Sequence, residues 1–151
     1  MKYGNNGTGE KVFPDMNTRH GILDGVGGNG SKAYQCIFCG SNITHSDRLI
    51  RIGSTSRHFF VNPAGVGCDF HTFYSCPGAV ALGEAMEEHT WFHGYNWRMA
   101  FCRQCGKHLG WYYEATSTVE RPQEFWGILV DHVTNDFTPQ GNNIILETDQ
   151  Y

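Results

Sequence analysis

The sequence predicts a mainly β domain, and three observations carry that prediction. From Ala33 onward, apolar residues fall in short runs of strand length separated by Gly, Pro, Asn and Ser. Two turns of the form Cys-x-x-Cys-Gly begin at Cys36 and at Cys102, with 62 residues between Cys39 and Cys102. Only residues 77–88 have a helix-compatible composition, and Gly83 interrupts them.

The elements follow in order. Residues 1–31 hold eight glycines and only sparse, aperiodic apolar side chains, so they read as a flexible lead segment. The folded domain is expected over 32–136, with 137–151 as a tail carrying a last strand at 143–147. Residues 33–37 lead into the first knuckle. Segments 49–52 and 58–61 read as strands around the Gly53-Ser54-Thr55-Ser56 turn, and Asn62-Pro63-Ala64-Gly65 is a turn by composition. Residues 66–74 alternate and carry aromatics on both faces, as in a central strand. Segments 95–101 and 109–113 flank the second knuckle as a hairpin, and 125–132 reads as a further strand. The outcome is two knuckle-bearing layers with no other internal repeat.

The paired knuckles point to a structural zinc ion held by Cys36, Cys39, Cys102 and Cys105. Each Cys-x-x-Cys turn aims two thiolates at one point, and two such turns complete a closed tetrahedral shell. The Gly after each second cysteine suits the positive φ such a turn calls for. One Cys-x-x-Cys could be a redox motif; two at this separation clip distant hairpins of one domain. Closed coordination leaves no open position for catalysis. His108, three residues after Cys105, is the nearby rival ligand, and its expected place is packed beside the site.

Composition narrows the function classes. The formal net charge is −4 with no basic run, which argues against nucleic acid as a partner. No apolar run approaches the length of a membrane span, and no secretory leader pattern opens the chain. Cys68 and Cys76 remain outside the knuckles. They read as free thiols, which slightly favours the cytoplasm; a disulfide between them would instead suit a secreted protein.

Trp91, Trp97 and Trp111 lie within 21 residues around the second knuckle. Trp97 and Trp111 occupy near-symmetric positions on the two arms of the predicted hairpin, so they fall close together. Spacing alone leaves two possibilities. The indoles could fill the core, or they could form a cage for a cation or a flat heterocycle. Glu87 and Glu88 could supply the carboxylate a cation would call for.

At these positions the chain resembles a known family. The ordered motifs are Asn62-Pro63-Ala64-Gly65, Trp91-Phe92-His93-Gly94-Tyr95-Asn96-Trp97, Cys102-x-x-Cys105, His108-Leu109-Gly110-Trp111 and Phe125-Trp126-Gly127-Ile128. Together they resemble the CULT domain family, the thalidomide-binding domain of cereblon, which also occurs as small single-domain proteins. The resemblance covers about residues 34–133. It implies a β-tent, two antiparallel sheets pinned by one four-cysteine zinc. It makes Trp91, Trp97 and Trp111 the walls of an aromatic cage, Asn62 a rim residue and Tyr113 the floor. Backbone groups of His89 and Trp91 would bond the ligand's edge. The expected ligand is a planar neutral cyclic imide or uracil-like ring: a glutarimide of the thalidomide type, uridine, or a cyclic imide ending a peptide. Trp126 is expected in the core. Asn96 and Arg98 bracket Trp97 and are expected to make the rim more polar.

No ligase adaptor region is expected beside this domain within these 151 residues, so a ubiquitin-ligase role is not carried over. The expected role is binding, not catalysis. The competing enzyme class is a β-tent oxidoreductase of the methionine sulfoxide reductase B type, which needs a late catalytic cysteine; here none follows Cys105. A reader of methylated ammonium groups is the other competitor, distinguishable by salt sensitivity.

Overall fold

The computed structural model describes residues 30–135. The lead segment expected over 1–31 and the strand expected at 143–147 lie almost wholly or wholly outside those residues. The described chain is built from antiparallel strands and two short 3-10 turns, in two sheets. The small sheet has the order β2-β1-β9, from β1 (Ala33–Cys36), β2 (Asn42–His45) and β9 (Val133–Thr134). The large sheet has the order β3-β4-β8-β7-β6-β5. Its strands are β3 (Arg57–Val61), β4 (Gly67–Phe73), β5 (Ala79–Met86), β6 (Tyr95–Cys102), β7 (His108–Ala115) and β8 (Glu124–Leu129). After Leu129 one 3-10 turn, Val130–His132, delivers the chain directly into β9, so the sheets are joined by a short covalent link.

Cross-strand partners point to the same face of a sheet, which lets the register sort the large sheet into two sides. Thr72, Gly127, Trp111 and Met99 form one cross-strand row, with Phe125, Tyr113 and Trp97 in the next. Phe73, Trp126, Tyr112 and Arg98 form a row on the opposite side. Two cores result. One joins Phe73, Ala79, Leu109 and Ile128 to Tyr34, Cys36, Ile43 and Val133 of the small sheet. The other packs Cys68, Phe70, Phe92, Tyr95, Tyr113 and Phe125 on the far face. The alternation read from residues 66–74 is realised here: Cys68, Phe70 and Thr72 enter the far face while Phe73 enters the inter-sheet core.

Three expectations give way to long-range pairing. The helix-compatible stretch 77–88 is the edge strand β5, paired with β6 from Ala79–Cys102 to Met86–Trp97. Helix propensity is a weak prior that a sheet ladder overrides, and Gly83, at φ +94, sits in the irregular register between Leu82 and Met86. Segment 49–52 is extended but not a strand. It touches β4 through a Leu49–Phe73 bridge and reaches Thr72 through the Ile50 N–H, while Thr72 gives its own N–H to Ser56. Finally, the segment 125–132 ends as a strand at Leu129, where the chain turns toward the small sheet.

Candidate functional site

Cys36 closes β1 and Cys102 closes β6, so each sheet contributes one knuckle. The two knuckles share one hydrogen-bond pattern. The Cys36 N–H donates to Ser41 O and the Gly40 N–H to Cys36 O; the Cys102 N–H donates to Lys107 O and the Gly106 N–H to Cys102 O. Gly40 and Gly106 hold φ +80 and +77, the left-handed turn expected of them. The sulfurs converge: Cys36 Sγ lies 3.8 Å from Cys105 Sγ, Cys39 Sγ lies 3.7 Å from Cys102 Sγ, and all four fall within 4.8 Å of one another. A tetrahedron with metal–sulfur bonds of about 2.3 Å has edges of about 3.8 Å. The four residues therefore fit a metal ion held by thiolates.

The electrostatics of the cluster suit deprotonated sulfur unevenly. Burial pushes the Cys36 thiol up to about 12. Burial opposes ionisation of Cys102 too, but hydrogen bonds from the Ser41 hydroxyl and from the Cys105 and Gln104 amides outweigh it and bring that thiol down to about 6. His108 stays outside the group. Its Nε2 is 2.9 Å from Gly110 O, and its ring stands edge-to-face on Trp111 at 5.5 Å. Cys68 and Cys76 are buried free thiols in different cores, as the free-thiol expectation required.

On the far face the indoles gather as partly buried groups packed against one core. Trp91 meets Trp111 edge-to-face with ring centroids 5.2 Å apart. Trp97 pairs cross-strand with Tyr113, two positions along β7 from Trp111, which places it diagonally across from that ring on the same face. Tyr113 lies beneath them, 2% exposed and stacked on Phe125 at 4.8 Å. The loop after β5 carries Trp91 over the sheet and is fastened by Trp97, whose Nε1–H donates to Glu88 O at 2.9 Å. Next to Glu88, His89 adopts φ +60, a conformation uncommon outside glycine that tends to occur at functional sites. Asn62 closes the β3–β4 turn; its Oδ1 accepts from the Ala64 and Val66 N–H groups, both at 2.9 Å.

Sequence reasoning missed the backing of this cluster. Trp91 stacks on Phe60 at 5.1 Å and on Phe70 at 5.7 Å, and Phe92 stands edge-on to Tyr113 at 4.9 Å. The alternation of residues 66–74 shows Phe70 as an aromatic on one face of a strand, but not its partners across the sheet. Two further placements are settled by alternation. Asn96 and Arg98 share a side with Glu114 and Tyr112, away from Trp97, so they do not make the rim polar. Trp126 lies on that same side and packs on the inter-sheet core, as expected.

With this geometry in place, two comparisons with known proteins bear on it. The family model described as Yippee zinc-binding/DNA-binding /Mis18, centromere assembly matches residues 32–145. Protein cereblon of Gallus gallus is 42% identical over 69 residues, covering 46% of this chain and 16% of that protein. Protein cereblon of Xenopus tropicalis is 38% identical over the same length, covering 46% and 15%. Protein cereblon of Drosophila grimshawi is 30% identical over 142 residues, covering 87% of this chain and 21% of that protein. The chain thus spans between a seventh and about a fifth of the relatives it matches.

Proposed function

This chain belongs to the Yippee zinc-binding/DNA-binding and Mis18 family, and on that premise we propose that it is a cereblon-like binding module, not an enzyme, that holds a small flat neutral ring. Cys36, Cys39, Cys102 and Cys105 would hold zinc, which would lock the two sheets together. The observation that carries the ring site is the clustering of Trp91, Trp97 and Trp111, all partly exposed, on one face above a buried Tyr113. Partial exposure alone does not mark them, since the core-packed Trp126 shares it; what sets these three apart is that they open on one shared face.

A cyclic imide or uracil-like ring suits such a place. Its faces stack on indoles, with stacking worth roughly 1–3 kcal/mol per ring in nucleic-acid complexes. Its edge offers two carbonyl acceptors around one N–H donor, and backbone groups of His89 and Trp91 are the proposed partners. A hydrogen bond made where water is excluded discriminates well, because an analogue lacking the group leaves a partner unpaired. The partner class is therefore a glutarimide, uridine or a cyclic-imide peptide end. A polyanion is disfavoured by the net charge of −4.

The test is a titration with thalidomide and with uridine, followed by tryptophan fluorescence. Saturable quenching in the micromolar range, about −8 kcal/mol, is the expected result, and it should be lost in Trp97→Ala. No response at millimolar ligand would refute the ring site.

A further inference from the structure

Resting on the ring site proposed above, we infer that the ring arrives as the end of an extended, basic peptide that lies along the exposed edge strand β5. Three independent features of the fold converge on that strand. Among the described residues it is the last strand of the large sheet, with β6 on one side and no strand of that sheet on the other. An edge of this kind offers backbone donors and acceptors to an added strand.

The second feature is apolar surface leading out of the indole cluster. Met99 lies directly across from Trp111, and Leu82 directly across from Met99; in the next row Met86 lies across from Trp97. These residues are exposed, Leu82 by 53%, Met86 by 40% and Met99 by 37%. Two cross-strand rows therefore continue the indole face outward to the sheet edge with nothing in the described fold covering them. Methionines also adapt their shape to varied partners.

The third feature is charge. Glu84, Glu87 and Glu88 are exposed on this segment, and no Lys or Arg occurs between Ala79 and Trp97. An extended peptide places alternate side chains on opposite sides. Apolar groups would settle beside Leu82 and Met86, while Lys or Arg side chains would meet the glutamates. The Trp97–Glu88 hydrogen bond fixes the loop that follows β5 against the indoles, so ring and peptide would be held by one continuous surface.

The experiment compares two ligands of one ring, a C-terminal cyclic imide. One is a short acetylated stub; the other carries four further residues, two of them lysine. The lysine peptide is expected to bind about tenfold tighter than the stub, with the advantage shrinking in high salt. Replacing Glu84 and Glu87 together by Gln should remove most of the advantage and leave stub binding unchanged, which also reports intact folding. Leu82→Lys should weaken the peptide alone. If the stub binds and the peptide gains nothing, the strand-docking inference is overturned and the ring site stands. If neither ligand binds, both are overturned.

Discussion

The indole N–H of Trp97 donates to the carbonyl of Glu88 at 2.9 Å, tying strand β6 to the loop that carries Trp91 across the sheet. A single bond thus positions one wall of the aromatic cluster and the entry to another. Trp97→Phe keeps a ring and deletes the donor. The expected cost is about 1 kcal/mol of stability and roughly a tenfold loss in ring affinity. Chemical denaturation and a fluorescence titration check the two parts separately.

Packing under the cluster is tight at one glycine. A Cβ at Gly127 would lie 2.9 Å from Phe70 Cδ2 and 3.0 Å from Phe70 Cε2. Phe70 is fully buried and packed against both Trp91 and Trp111, which crowd its ring. Gly127→Ala should therefore cost about 1–3 kcal/mol and lower the melting temperature by about 5–15 °C. Ring binding should weaken with it, because Phe70 supports both indoles.

The metal clip predicts a different kind of loss. Metal analysis should return one zinc per chain. Chelation, or Cys39→Ser at an exposed ligand position, should lower the melting temperature by more than about 10 °C. The small sheet should loosen first, since β1 enters the cluster through Cys36.

Burial holds the His58 and His71 imidazoles below their usual range. Each has a ring nitrogen, His58 Nε2 and His71 Nδ1, that is buried without a hydrogen-bond partner. The unfolded chain consequently binds protons at a higher pH than the folded one. Their contribution is fully present above about pH 6.5 and is lost as pH falls through the lower folded values. Urea midpoints should fall between pH 7.5 and pH 5.5, and a His58→Phe, His71→Phe variant should show a smaller fall.

The parts legible in the sequence are those whose chemistry is local. Each knuckle announces itself in five residues, because thiolate spacing and the following glycine are both set within one turn. Trp97 and Trp111 were placed correctly because a hairpin fixes register around its own turn. The backing by Phe60 and Phe70 was not legible, since β3 and β4 reach Trp91 only through the fold. Strand β5 was misread because Ala, Leu, Glu and Met favour a helix locally, while the ladder with β6 that decides the outcome is formed with residues beyond the intervening loop. Asn96 and Arg98 show the limit of proximity in sequence: flanking Trp97 on a strand sends them to the opposite face.

The most direct measurement follows the four indole N–H signals by two-dimensional NMR as a glutarimide is added. Trp126, on the opposite face, serves as the internal control. The signals of Trp91, Trp97 and Trp111 should shift together and saturate while Trp126 stays still. Four unmoved signals, or a shift confined to Trp126, would contradict the ring site.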